Sequence, residues 1–262
     1  MNASSPPFAG GRHFGARLAG VAPQLVRAPA ALVLPPAAPE VDFRRYVAAI
    51  DLQDGSQCVE DSFEMATSIA TGGKGKRRSP LGWYLGARSR ESTRLGQALL
   101  DHGSTPQDAI DEAIDRGVYP RDARDDDAPE INLADTWDEE AQLARFQPDD
   151  FVPLGTDLAT AKQWLTLGLS FPDHGIAAQL VISVTAQFMG LKGPGVCMVD
   201  PADEPELGLH GVCLVGYTWD GMLLIGNSYG ASWGESGYAR IPADVATRIV
   251  KSIIIVKGGP VL

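Results

Sequence analysis

The sequence has few cysteines and a deficit of cationic side chains, and both shortages limit what the chain can be. Its 262 residues include three cysteines, Cys58, Cys197 and Cys213, an odd number without regular spacing. Such a set does not make a disulfide framework, which favours a reducing compartment or a fold that needs no covalent crosslinks. Lys and Arg number 22 against 33 Asp and Glu, which gives a net charge of −11. Because nucleic acids and anionic lipids repel an acidic chain, we expect neither nucleic acid nor membrane as a partner.

Long hydrophobic runs are absent as well. No stretch of about 18 consecutive apolar residues occurs, so no transmembrane helix is predicted. Residues 1–7 contain no basic region followed by an apolar core, so no secretory signal peptide is predicted either. Residues 1–40 are rich in Pro, Ala and Gly and offer little that a packed core could bury. We interpret them as an N-terminal tail that precedes a folded domain.

The folded domain is predicted to span residues 41–262, and a hydrophobic content of 44% in the chain supports a substantial core. Helical patterns dominate from about residue 41 to 155, and strand patterns dominate from about 156 to 262. The helices precede the strands without β-α alternation. This order is typical of an α+β fold with two segregated parts.

A β-hairpin is predicted in the second part of the chain. Residues 211–217 form an apolar, β-branched run, the turn Trp-Asp-Gly follows at 219–221, and residues 222–225 form a second apolar run. His210 begins the first strand and Asn227 follows the second, so an antiparallel pair brings these two side chains together. An amide that binds one imidazole nitrogen fixes the tautomer and orientation of a catalytic base.

A base of this kind needs a nucleophile, and Cys58 is the candidate. It begins a helical pattern with Val59 and Phe63 on one apolar stripe. A thiol at a helix N-terminus has a lowered pKa because the helix dipole favours the thiolate. The plain alternative is a buried structural cysteine, which is common for this residue type. Glu60 and Asp61 follow directly, and their negative charge disfavours a thiolate while it favours an imidazolium.

The order of these motifs resembles that of papain-like cysteine peptidases. His-Gly-Val at 210–212 is followed by Asn-Ser-Tyr-Gly at 227–230 and Trp-Gly-Glu-Ser-Gly-Tyr at 233–238. The resemblance covers about residues 41–258 and is closest to bacterial or phage members without a pro-segment or disulfides. It implies a two-lobed α+β fold, with a helical lobe, a β-barrel-like lobe and the active site in the cleft between them.

The resemblance also implies a reaction and a role for each residue. The family hydrolyses peptide bonds through a thioester, so the expected partner is a peptide or protein substrate. Cys58 would attack the scissile carbonyl, His210 would act as general base, and Asn227 would orient the imidazole. Gln53 would be the side-chain donor to the oxyanion, although it lies five residues before Cys58, where the family more often has six.

Two aromatic residues complete the expected site. Tyr229 stands where the family usually has a Trp that shields the His–Asn hydrogen bond, and its hydroxyl needs a partner of its own. Trp233 is expected to line the cleft or to pack under the Asn227 loop. No cofactor and no metal are expected. Cys213 follows His210 by three residues on a strand, so the two side chains point to opposite faces and do not form a metal pair.

Two functions other than peptide hydrolysis fit parts of the sequence. The first is that of a structural protein, such as a phage particle component, that retains a papain-like fold with weak or no activity. The acidic start of the first helix and the shifted Gln53 fit this alternative. A third reading is an amidase acting on cell-wall peptides, although the motifs after Asn227 favour a peptidase. The expected location is the cytoplasm or a phage particle or similar assembly.

The tail is predicted to dock on another subunit, either a second copy or a different protein of an assembly. Ordering the backbone costs about 1–2 kcal/mol per residue, so a Pro/Ala-rich segment does not order without contacts. Its prolines lower that cost because they restrict the unfolded chain. The apolar candidates for anchoring are Phe8, Phe14, Leu25, Val26, Leu32, Val33 and Leu34.

Overall fold

The computed structural model describes residues 16–18, 32–53, 55–75, 77–95, 103–121, 144–193 and 204–260. Six α-helices and seven β-strands lie within these ranges. The helices are α1 (Cys58–Ala70), α2 (Pro80–Leu95), α3 (Pro106–Asp115), α4 (Leu158–Gly168), α5 (Ala186–Gly190) and α6 (Ala243–Ile249). The strands are β1 (Val41–Asp42), β2 (Phe151–Gly155), β3 (Ala177–Val184), β4 (Gly208–Tyr217), β5 (Leu223–Gly226), β6 (Tyr238–Ile241) and β7 (Val250–Val256). No helix of the described ranges is long and apolar enough to cross a bilayer.

The strands form one antiparallel sheet in the order β2-β7-β3-β4-β5-β6, and β1 pairs with β4 off this path. Every residue of the central strand β3 is buried. Helix α1 packs against β3 and β4, and it also contacts α2 and α3. The predicted α+β class is therefore confirmed, with α1 placed between the other N-terminal helices and the sheet.

The predicted hairpin agrees with the structure. The hairpin forms from β4 and β5, with Leu214 opposite Ile225. Thr105 caps α3, where its hydroxyl accepts a hydrogen bond from the backbone N–H of Asp108 at 3.1 Å. The predicted division near residue 155 differs from the structure at two strands. Strand β1 pairs with β4 and strand β2 pairs with β7, so both belong to the sheet rather than to the helical part.

The described pieces of the N-terminal tail lie against the chain's own domain. The backbone N–H of Arg17 donates to the carbonyl of Ser104 at 3.0 Å, and its guanidinium forms an ion pair with Glu91. The carbonyl of Ala38 accepts from the Tyr217 hydroxyl at 3.0 Å. The packed domain therefore begins before residue 41.

The predicted anchors of the tail are only partly described. Val33 is 88% exposed and Leu32 is 48% exposed, whereas Leu34 packs against the core. Phe8, Phe14, Leu25 and Val26 lie outside the described residues. Docking of the tail on another subunit stays a prediction.

Helix α1 is buried on all sides. The sequence predicts one apolar stripe, but all 13 residues of the helix are buried in the structure. The reason is its position, since the sheet covers one side and helices α2 and α3 cover the other. The acidic residues Glu60, Asp61 and Glu64 therefore lie in the interior instead of at a solvated helix start.

Arginines compensate part of this buried negative charge. Glu64 pairs with Arg78 at 3.4 Å and with Arg77 at 3.5 Å. Asp51 pairs with Arg121 at 2.7 Å and also with Arg77. Burial nevertheless raises the pKa of Glu64, because the loss of hydration outweighs the attraction of the two guanidinium groups.

Glu60 has less compensation. Neither of its carboxyl oxygens has a hydrogen-bond partner of normal geometry among the described residues. Burial raises the pKa of Glu60 to about 8, while the Ser104 hydroxyl and the charge of Arg88 counter that rise only in part. Burial also raises the pKa of Asp61 well above its usual range. Glu60 is therefore largely protonated near neutral pH, which removes part of the negative charge expected beside Cys58 from the sequence.

Gly211 on β4 lets the sheet reach the start of α1. A Cβ atom at this position would lie 2.6 Å from the carbonyl oxygen of Cys58 and 2.9 Å from the Cα of Val59. These contacts involve backbone atoms, which cannot move aside as a side chain can. The glycine thus fixes how closely β4 and the N-terminus of α1 approach.

We predict that Gly211→Ala lowers the free energy of unfolding by about 1–3 kcal/mol, because the added methyl group forces β4 and α1 apart. Chemical denaturation followed by fluorescence measures this change. Gly190→Ala is the matched control, since a Cβ at Gly190 has no atom within 4 Å. Equal stability of the two variants would contradict the close approach.

We predict that Glu60→Gln stabilises the protein at pH 8 and not near pH 4.5. The folded-state pKa of about 8 lies above the ordinary value of 4.5, so the unfolded state releases the proton first. The free energy of unfolding of the wild type therefore falls as the pH rises from 4.5 to 8. Glutamine does not ionise, so the variant avoids this fall, which amounts to about 1–4 kcal/mol. Denaturation curves across this pH range test it, with the exposed Glu40→Gln as control. Parallel curves for Glu60→Gln and the wild type would show that Glu60 is ionised in the folded protein.

Candidate active site

His210 and Asn227 lie side by side at one end of the β4–β5 hairpin. The Nε2 atom of His210 is 2.7 Å from the Oδ1 atom of Asn227. The backbone N–H of Ser228 donates to the same Oδ1 atom at 2.8 Å. The hairpin register explains this meeting, because Cys213 pairs with Gly226 and the two strands run antiparallel.

Cys58 reaches the same place from the other side. It is the first residue of α1, and its Sγ atom accepts a hydrogen bond from the backbone N–H of Gly211 at 3.3 Å. Gly211 directly follows His210 on β4. The thiol and the imidazole therefore belong to neighbouring residues across the interface between α1 and the sheet.

The site is closed to solvent. Cys58 and His210 are 0% exposed, and Asn227 is 1% exposed. Burial lowers the pKa of His210 to about 4, although the hydrogen bond to Asn227 works in the opposite direction. The imidazole is thus neutral at neutral pH in this closed form. Burial also raises the pKa of the Cys213 thiol.

Tyr229 covers the imidazole. The centroids of the Tyr229 and His210 rings are 4.6 Å apart at an interplanar angle of 32°. The buried tyrosine hydroxyl was expected to need a hydrogen-bond partner, and two polar atoms lie near it. It lies 3.1 Å from the Sδ atom of Met189 and 3.4 Å from the Nδ1 atom of His210.

Trp233 packs beneath the Asn227 loop. Its indole N–H donates to the carbonyl of Phe188 at 2.8 Å, and its ring lies 5.0 Å from that of Phe188. The backbone N–H of Gly237 donates to the Trp233 carbonyl at 2.7 Å, and Asn227 N–H donates to the Gly237 carbonyl at 3.0 Å. Trp233 is 0% exposed. Of the two positions expected for it, packing under the loop is observed and lining of an open cleft is not. Tyr229, at 1% exposed, is likewise interior.

Gln53 is attached to the loop that carries Asn227. Its backbone N–H donates to the carbonyl of Ser228 at 2.9 Å, and its Oε1 atom accepts from the Ser228 hydroxyl at 2.6 Å. Its Nε2 atom donates to the carbonyl of Gly55 at 2.8 Å. The shift by one position from the family spacing does not prevent Gln53 from reaching this loop.

Sequence reasoning missed two residues of the site. Ser228 joins Gln53 to Asn227, and its position beside Asn227 was a usable signal. Met189 on α5 contacts the Tyr229 hydroxyl, but the five-residue helix α5 offered no periodic pattern that points to it. The described ranges hold no group of three or more His, Cys, Asp and Glu side chains that could bind a metal ion.

Comparisons with known proteins concern the family and the fold of the chain. Residues 176–255, from just before β3 to the end of β7, match the family model described as papain family cysteine protease. No curated protein sequence matches the chain.

The fold is similar to solved cysteine protease structures. Xylellain, a cysteine protease from Xylella fastidiosa, is 20% identical with a TM-score of 0.63, covering 86% of this chain and 87% of its own. Digestive procathepsin L 3 of Tenebrio molitor larval midgut is 19% identical with a TM-score of 0.63. The match covers 88% of this chain and 73% of the procathepsin chain. A cysteine protease of Carica candamarcensis, solved in complex with E-64, is 16% identical with a TM-score of 0.53. The match covers 84% of this chain and 99% of the Carica protease chain.

These identities are low, so the likeness establishes the fold, and the family match over the strands adds to it. The family match and the shared fold together support a papain-like cysteine peptidase family, a family of hydrolases, for this chain.

Proposed function

We propose that the chain hydrolyses peptide bonds with Cys58, His210 and Asn227 as a catalytic triad. The observation that carries the proposal is the hydrogen bond between His210 Nε2 and Asn227 Oδ1, beside a helix N-terminal thiol. The amide occupies one imidazole nitrogen and leaves the other, Nδ1, for proton transfer. A cysteine nucleophile activated by histidine requires that one imidazole nitrogen is held in place and the other accepts the thiol proton.

The proposed reaction has two halves. Nδ1 of His210 takes the proton of the Cys58 thiol, and Sγ attacks the scissile carbonyl carbon to form a tetrahedral oxyanion. The imidazolium then protonates the leaving amine, the C–N bond breaks, and a thioester to Cys58 remains. In the second half His210 takes a proton from water, the hydroxide attacks the thioester, and the thiol is regenerated with release of the carboxylic acid.

The proposed donors to the oxyanion are the backbone N–H of Cys58 and the side-chain amide of Gln53. The N–H groups in the first turn of a helix have no acceptor within that helix. Ser228 holds Gln53 through both its carbonyl and its hydroxyl, which limits the conformations that the amide can adopt. Donors fixed before the reaction stabilise the oxyanion without reorganisation.

A structural role is the second candidate, and the closed site favours it. Cys58 and His210 are 0% exposed, so a peptide cannot reach them without opening of the fold around them. A protein that retains the fold for assembly, such as a phage particle component, has no need for such opening. The two functions differ in one measurable property, the reactivity of the Cys58 thiol.

We predict that iodoacetamide modifies Cys58 faster than Cys213 at pH 7, because His210 assists ionisation of Cys58 whereas burial raises the pKa of Cys213. Peptide mass spectrometry after timed quenching measures each site separately. Cys197 lies outside the described residues and serves as a further reference. In His210→Ala the rate at Cys58 should fall about tenfold or more, since general acid–base assistance typically contributes at least that much. Equal rates at all cysteines, unchanged in His210→Ala, would favour the structural role.

We predict that Asn227→Ala retains its fold and loses about 90% or more of its turnover of fluorescently labelled casein, because the imidazole loses its orienting partner. A melting curve verifies the fold. Gln179→Ala is the control, since Gln179 is a buried amide on β3 that donates to the Leu180 carbonyl and lies outside the proposed triad. Wild-type turnover in a folded Asn227→Ala variant would remove Asn227 from the site.

A further inference from the structure

The hydrogen bonds around Asn227 determine which nitrogen of His210 carries the proton. Oδ1 of Asn227 accepts from the Ser228 N–H at 2.8 Å and faces His210 Nε2 at 2.7 Å. The opposite amide orientation would place its NH2 group against the Ser228 N–H, two donors facing each other. The oxygen is therefore fixed as an acceptor, so Nε2 carries the hydrogen. In the neutral imidazole, Nδ1 then has the lone pair.

The Tyr229 hydroxyl lies within reach of that nitrogen. It is 3.4 Å from Nδ1 of His210 and 3.1 Å from Sδ of Met189. A phenol has one proton to donate, and it faces two acceptors of different strength. The imidazole nitrogen is a good acceptor and the thioether is a weak one. The Tyr229 ring is held over the imidazole. Rotation of the O–H bond alone therefore decides whether the proton points to Nδ1 of His210 or to Sδ of Met189.

We propose that Tyr229 is a positioning residue whose hydroxyl binds the Nδ1 lone pair of His210 in the closed site and competes there with the Cys58 thiol. This inference rests on the proposed function. Cys58 passes its proton to Nδ1 when the tyrosine proton turns toward Met189. Tyr229 and Met189 together thus set how readily the thiolate forms.

The surroundings of His210 make the effect measurable. The Phe188 and Tyr229 rings pack against the imidazole, Met189 contacts the Tyr229 hydroxyl, and Cys58 lies at the neighbouring Gly211 on the side of α1. Among the described residues, the titratable neighbours are the Cys58 thiol, the Tyr229 phenol, Cys213 on β4, and the Glu60 and Asp61 carboxyls in the first turn of α1. Burial lowers the pKa of His210, and the hydrogen bond to Asn227 works against that shift. At about pH 5.5 Glu60, whose pKa is raised to about 8, is protonated, so its charge does not obscure a change in one hydrogen bond at Nδ1.

The test uses two substitutions with opposite expected effects. Tyr229→Phe keeps the ring and removes the hydroxyl, so Nδ1 is available and the Cys58 thiolate forms at lower pH. Met189→Leu has nearly the same volume and removes the second acceptor, so the tyrosine proton stays on Nδ1 and the thiolate forms at higher pH. Rates of iodoacetamide modification at Cys58, measured from pH 5 to 8, should rise about two- to tenfold at pH 5.5 in the first variant. They should fall by a similar factor in the second.

Tyr217→Phe is the matched control. It removes another buried tyrosine hydroxyl, which contacts Ala38 and Thr166 away from the site, and should leave the pH profile of Cys58 unchanged. An unchanged profile in folded Tyr229→Phe, or a shift in the same direction in both site variants, overturns the inference while the triad stands. Absence of preferential modification of Cys58 in the wild type overturns the proposed function and this inference together.

Discussion

The contact between the first residues of α1 and the backbone of β4 is the constraint on which the rest of the structure depends. Gly211 allows the two backbones to touch, and its N–H binds the Cys58 sulfur. Because the helix is seated directly on the sheet, the residue before Gly211 and the residue that begins α1 become neighbours in space. The same seating buries every side of α1 and forces its three acidic residues into the interior.

The interior position of the site has an electrostatic consequence. Few water molecules can hydrate a charge there, so an ion pair between thiolate and imidazolium has to be stabilised by the protein itself. Asn227 supplies one hydrogen bond to the imidazole, and the Cys58 sulfur receives one from the Gly211 N–H. Protonation of Glu60 removes a charge that would oppose the thiolate. These contacts would support the charge separation that the proposed reaction needs, while the imidazole of the closed site is neutral.

Local sequence signals were enough to predict the elements that carry the site. Two apolar runs and the turn residues between them predicted the β4–β5 hairpin, and the hairpin alone implied that His210 and Asn227 meet. The helix start at Cys58 followed from its apolar stripe. The burial of Glu60 could not be predicted, because it depends on α2, α3 and the sheet closing around α1 from distant parts of the chain. Strand β2 was missed for the same reason, since its assignment comes from pairing with β7 about one hundred residues later.

The attachment of both Gln53 and Asn227 to Ser228 has a consequence for how this site tolerates change. Gln53 bonds to the carbonyl and hydroxyl of Ser228, and Asn227 Oδ1 bonds to its N–H. The proposed oxyanion donor and the residue proposed to orient the base are therefore both held by Ser228. A shift of that loop moves both together, so the two halves of the site do not drift independently. Chains descended from this one would be expected to keep the pair or lose it as a unit, with few intermediate forms.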